Sequence, residues 1–98
     1  MFRHVVLLQW TPEATDEQAA AVLDGLATLP GAIPEIAEYR FGPDAGVTEG
    51  NFDVAVVADF ASVDDYVVYR DHPVHRAVIA ERIAPILAAR AAVQYDLG

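Results

Sequence analysis

Cysteine is absent from this 98-residue sequence, which excludes disulfide cross-links, thiolate zinc sites and cysteine nucleophiles together. Lysine is absent too. All six basic residues are arginines, at positions 3, 40, 70, 76, 82 and 90, so no Schiff base can form on a side-chain amine. Positive charge is scarce overall: fifteen acids bring the formal net charge to −9, and the arginines form no basic stripe. Phosphate backbones and anionic membrane surfaces repel such a chain, so neither nucleic acid nor membrane is expected as a partner. Long apolar runs are also missing, and no stretch approaches the roughly 20 residues that span a bilayer. The opening "MFRHVVLLQWTPEATDEQ" has an apolar run of strand length only, without a small-residue cleavage site. A cytoplasmic location is the expectation.

What is present suits one small domain over residues 1–98, without repeats or low-complexity tracts. About half of the residues are apolar, enough for a core, although a chain this short gains from association. "FRHVVLLQW" (2–10) is short, aromatic and β-branched, and reads as a strand. "TDEQAAAVLDGLATL" (15–29) opens with cap and first-turn residues. Its apolar positions Ala19, Val22, Leu23, Leu26 and Leu29 recur at helical spacing, and "PGAIP" (30–34) is expected to stop it. Two further strands, 35–43 and 52–60, flank the polar, glycine-bearing loop "DAGVTEGN" and should form a hairpin. A helix over 62–71 breaks at His72-Pro73 and resumes over 73–89, and a last strand follows at 90–97. The resulting order, βαββαβ, is the α+β ferredoxin-like arrangement with a four-stranded antiparallel sheet.

Alternation divides the strand residues between two faces. Phe2, His4, Val6, Leu8 and Trp10 share one side of the first strand, and Phe52, Val54, Val56, Ala58 and Phe60 one side of the third. These sets should lie under the helices. The opposite face retains Val5, Leu7, Ala55 and Val57, to which Tyr39 and Phe41 of the second strand are assigned. An apolar surface of that kind marks an interface, and a homodimer formed sheet to sheet would cover it. Asp59, Asp64, Asp65 and Glu49 read as solvated acids.

"YRDHPVHRAV" (69–78) concentrates the chemistry-bearing residues. Pro73 suits the first turn of a helix, which puts His75 in that turn, where the positive end of the helix dipole disfavours an imidazolium. A neutral imidazole can act as a general base. Tyr69 offers a phenol to polarise a carbonyl or to reprotonate an enolate, and His4 can reach the same space from the sheet. The plainer reading is equally concrete: His72 caps the helix break, His75 and His4 satisfy local hydrogen bonds, and Trp10, Phe52 and Phe60 are core. Tyr66, one turn before Tyr69, fits either reading. A metal site from His4, His72 and His75 is disfavoured, because Pro73 interrupts the face on which His-x-x-His would converge and no carboxylate is placed to complete the set.

"RHVVLLQWTP", "LPGAIPEI", the Gly50–Phe60 pattern G-x-F-D-x-A-x-V-x-x-F, "YRDHPVHRAV" and "RAAVQYDL" occur in an order and spacing that resemble the stress-responsive A/B barrel domain (Dabb) family, over essentially the whole chain. The resemblance implies ferredoxin-like subunits pairing into a dimeric α/β barrel. A polyketide-cyclising plant member of the family uses a tyrosine and a histidine six residues apart in a Tyr-x-x-His-Pro-x-His context. By that resemblance Tyr69 and His75 are the catalytic candidates. His4 matches its first-strand histidine, and Val54 stands where it has a further pocket histidine. His4, His72, Tyr66, Trp10 and Val54 are the candidate ligand contacts. The two competing expectations are a cofactor-free proton-transfer site for a small organic ligand, such as one for polyketide cyclisation, and a non-catalytic stress-response or structural dimer. The first requires an open cavity lined by Tyr69 and His75; the second fills that space with Trp10, Phe52, Phe60 and helix side chains.

Overall fold

A computed structural model describes residues 1–98. The elements are β1 (Phe2–Trp10), α1 (Asp16–Ala27), a short helix α2 (Leu29–Ala32), β2 (Ile36–Pro43), β3 (Val54–Phe60), α3 (Val63–Asp71), α4 (Pro73–Val78) and β4 (Leu87–Asp96). A π-helical turn (Ile79–Ile83) and a 3-10 turn (Ala84–Ile86) lead from α4 into β4. The sheet order is β2-β3-β1-β4, and each neighbouring pair is antiparallel. This is the expected α+β ferredoxin-like subunit, with β2 and β3 as the hairpin.

Local chemistry explains most boundaries. Thr15 and Gln18 close α1 with a reciprocal capping box. Ser62 accepts from the Asp65 amide at 3.2 Å to start α3. Val22 and Leu26 carry the buried stripe of α1, and Gly25 lets that helix sit close to the π-helical turn: a Cβ there would lie 2.9 Å from Arg82 Cδ. The core joins this stripe to Val6, Leu8, Val56 and Phe60 on the sheet.

Four expectations need correction. "PGAIP" does not simply end α1, because Pro30 sits at the start of α2, whose Leu29 and the following Ile33 are fully buried. The last helical segment ends at Ile86 and the strand begins at Leu87, earlier than expected. The Thr11 amide bonds the Ile86 carbonyl at 2.8 Å and Leu87 lies opposite Trp10 across a bulge, so pairing with β1 captures residues that a helical pattern would claim. Tyr39 and Phe41 do not lie on the open face. A bulge between Ile36 and Glu38 shifts the β2–β3 register, so Tyr39 lies opposite Ala58 and both aromatics pack on the helix side with Ile36. Asp59 is not a solvated acid: it is 4% exposed and accepts from Arg3 Nε and Nη2, each at 2.8 Å.

Candidate functional site

A cavity of about 620 Å³ opens between the helix side of the sheet and the α3–α4–π-turn segment. The sheet supplies its floor with His4, Val6, Val56 and Tyr39, and the helices supply Tyr69, His75, Ile79 and Ile83. Most of its wall is apolar, and its volume suits a small organic ligand. The candidates Tyr69, His75, His4 and Tyr66 all line it. Trp10, His72 and Val54 do not. Val54 is buried in the core, Trp10 packs against that core at the end of β1, and His72 Nδ1 accepts from the Val74 amide at 3.1 Å as the cap of α4. Phe60 is likewise fully buried core.

The Pro73 break sets the geometry. α3 stops at Asp71, His72 bridges in extended conformation, and α4 restarts with Pro73 in its first turn. This folds His75 back over the end of α3. Its ring stacks on Tyr69 with centroids 4.1 Å apart and planes 31° from parallel. The tyrosine hydroxyl does not bond to the imidazole; it meets the Tyr39 hydroxyl at 3.0 Å. Tyr66 packs its ring 4.9 Å from His4 and also against Phe2 and Phe60, so it orients the floor histidine.

Each cavity histidine is held through Nδ1 by one hydrogen bond. His75 Nδ1 lies 3.1 Å from the Arg70 carbonyl. A carbonyl only accepts, so Nδ1 carries the proton and Nε2 a free lone pair. His4 Nδ1 lies 2.9 Å from Gln94 Nε2. With the Gln94 amide nitrogen facing the ring, His4 Nδ1 accepts and Nε2 carries the proton; with the amide oxygen there, the roles exchange. No buried side-chain nitrogen or oxygen lacks a partner; neither Nε2 is bonded within the chain, and both histidines line the cavity. Burial chiefly, then the positive charge of Arg90 and the proximity of His75, lowers the His4 pKa to about 4. His75 is lowered too, by burial first, against its bonds to the Arg70 and Tyr69 carbonyls, which raise it. Tyr69 is pushed up to about 12 by burial, partly offset by its bond to Tyr39. Tyr39 is raised by burial and by Tyr69. At neutral pH the site therefore presents two uncharged imidazoles and a pair of intact phenols.

Sequence reasoning missed Tyr39, Gln94 and Arg90. The bulge hid Tyr39. Gln94 and Arg90 lie opposite His4 and Leu8 in the β1–β4 register, and alternation within β4 would have found them once that register was known. No group of three or more His, Cys, Asp or Glu side chains converges anywhere in the chain.

A profile described as the stress responsive A/B barrel domain matches residues 2–97. The chain belongs to the Dabb family. Among solved structures, a dimeric ferredoxin-like protein of unknown function from Thermobifida fusca is 48% identical, with 98% of this chain and 90% of that one covered and a TM-score of 0.91. A dimeric protein of unknown function and ferredoxin-like fold from Bacteroides fragilis is 25% identical over 98% of this chain and 95% of that one, with a TM-score of 0.85. The hydroxynitrile lyase of Passiflora edulis shares the fold at 21% identity over 99% of this chain and 93% of that one, with a TM-score of 0.84. No curated protein matches the sequence. No helix is long and apolar enough to cross a membrane.

Proposed function

We propose that this Dabb protein is a homodimer whose cavities carry out cofactor-free proton transfer on a small carbonyl compound. The observation that carries the reading is that His75 and His4, each bonded through Nδ1, line one cavity with Tyr69 and Tyr39; His75 Nε2 would serve as base and His4 Nε2–H as donor. His75 Nε2 would take a proton from carbon next to a carbonyl. Hydrogen bonds from His4 and from the Tyr69–Tyr39 hydroxyl pair would stabilise the enolate oxygen. In a ligand with a second carbonyl, the enolate carbon attacks it, the new carbon–carbon bond forms, and the alkoxide takes the proton back from His75. The step is an internal rearrangement and needs no co-reactant. That a hydroxynitrile lyase is built on the same fold is in keeping with an enzymatic role.

The sheet-to-sheet dimer is supported by exposed Leu7, Val93 and Tyr95 on the uncovered face and by the dimeric state of the Thermobifida fusca relative. The test of the chemistry is solvent-deuterium exchange into the α position of butyrophenone, followed by NMR. The wild type is expected to exceed buffer, and His75→Gln to lose about a hundredfold, the scale of a general base. Exchange at the buffer rate in the wild type would reject the reading and leave a binding protein without a reaction.

A further inference from the structure

The arginines divide unevenly in their bonding. Arg3 pairs with Asp59, Arg40 with Glu38, and Arg70 and Arg76 share Asp71. Arg82 donates to the Ala21 carbonyl at 2.7 Å. Arg90 alone has neither an ion pair nor a hydrogen bond through its guanidinium, in a chain with fifteen acids. It is also the arginine that β4 sets opposite Leu8, on the helix side of the sheet, where it lines the cavity. Arg70 and Arg76 line the same cavity, and no aspartate or glutamate does. A strongly acidic protein thus turns a wall free of acids, with one unsatisfied cation, toward its cavity.

We propose that the ligand of this cavity is an organic carboxylate, an apolar body with one anionic end, whose carboxylate is held by Arg90 at the mouth. This rests on the reading that the cavity binds a small organic molecule, and adds its charge and orientation. A guanidinium presents paired N–H donors that match the two oxygens of a carboxylate. Arg70 and Arg76 are engaged with Asp71, so the one guanidinium of the wall with its donors free is matched by a single carboxylate. The apolar wall, with Leu8, Leu26, Ile79 and Ile83, takes the body. With the anion at Arg90, the far end of the ligand points toward the His4, Tyr39 and Tyr69 floor, where the proposed chemistry would take place. Arg90 also bears on that floor: its charge helps lower the His4 pKa and opposes the rise of the Tyr69 pKa.

The test compares 2-naphthoate with its neutral isostere 2-naphthamide by calorimetric titration of the intact protein at neutral pH. The ring signals of the three histidines, followed by NMR, locate the binding. Naphthoate is expected to bind at least tenfold more tightly than the amide, on the scale of a hydrogen bond to a charged group, and to move the His4 and His75 signals while leaving His72, which lies outside the cavity. Arg90→Gln should remove that preference while leaving amide affinity unchanged, and Arg90→Lys should restore part of it. Arg90 is exposed and unbonded, so the variants should melt with the wild type. Equal binding of acid and amide, or a preference that survives in Arg90→Gln, overturns the carboxylate inference and leaves the pocket reading standing. If neither compound moves His4 or His75, both fall.

Discussion

The two faces of the sheet are built from the same strands and treat polar groups in opposite ways. On the helix side, β1 contributes His4 between Phe2 and Val6. Its one internal bond, to Gln94, leaves the other ring nitrogen available. On the open side, β1 contributes Arg3 and β3 Asp59, and the two consume each other in a bidentate pair. The helix side keeps unspent hydrogen-bonding capacity beside empty volume. The open side neutralises its charge and leaves Leu7, Val93 and Tyr95 exposed around it. Polar groups with an unused donor or acceptor can bind a ligand, whereas polar groups already paired with each other can be covered by a second surface at little cost.

The largest expected effect breaks the open side. Leu7→Asp puts a carboxylate where a sheet-to-sheet interface would exclude water, and the dimer should dissociate at micromolar concentration. Light scattering should then report a mass near the 10.6 kDa of one chain. If the face is instead free in solution, the wild type already scatters as a monomer and the substitution changes little.

The next concerns acid. His4 and His75 both have folded pKa values below the ordinary 6.5, His4 near 4. The unfolded chain therefore binds more protons between those values. The stability they contribute is complete above pH 6.5 and is lost as pH falls toward 4. Urea midpoints measured across that range should drop in the wild type and drop less in His4→Gln, which has no imidazole to protonate at the floor. An unchanged slope would mean that the His4 ring is hydrated.

On the open side the sign has the same direction in a lower window. Arg3 holds the Asp59 pKa below the ordinary carboxylate range. The pair's contribution is full above about pH 4 and fades as pH falls through the depressed value. Asp59→Asn should flatten that acid limb, seen in the same titration below pH 4, and should lower stability at neutral pH by leaving Arg3 unpaired. The smallest effect sharpens the helix side. Tyr39→Phe removes the hydroxyl that meets Tyr69 and should cost about 1 kcal/mol, read from the denaturant midpoint. Larger loss would show that Tyr39 supports the sheet rather than the cavity.

Much of this architecture was legible from residue order. Thr15 with Gln18, Ser62 before the second helical pair, and His72-Pro73 are local signals whose partners lie within a few residues, so they act wherever the chain goes. The position of His75 in the first turn of α4 follows from Pro73 alone. The exceptions share one cause. Tyr39 was assigned to the wrong face because a bulge is a relation between two strands. Asp59 looked solvated because its partner, Arg3, is 56 residues away. Leu87 looked helical because its pairing with Trp10 is a long-range contact.

The sequence by itself determined the element order, the amphipathic strands, the break that carries Tyr69 and His75, and the lack of cysteine and lysine chemistry. These follow from periodicity, capping and composition, which are properties of neighbours in the chain. Tertiary structure alone decided that His4 and His75 are each held through Nδ1 beside one cavity, that Tyr39 joins Tyr69, and that Arg90 stands unpaired at that cavity. Each of these depends on which atom lies within hydrogen-bonding reach across the sheet or across the helix break, and that is decided by register and packing.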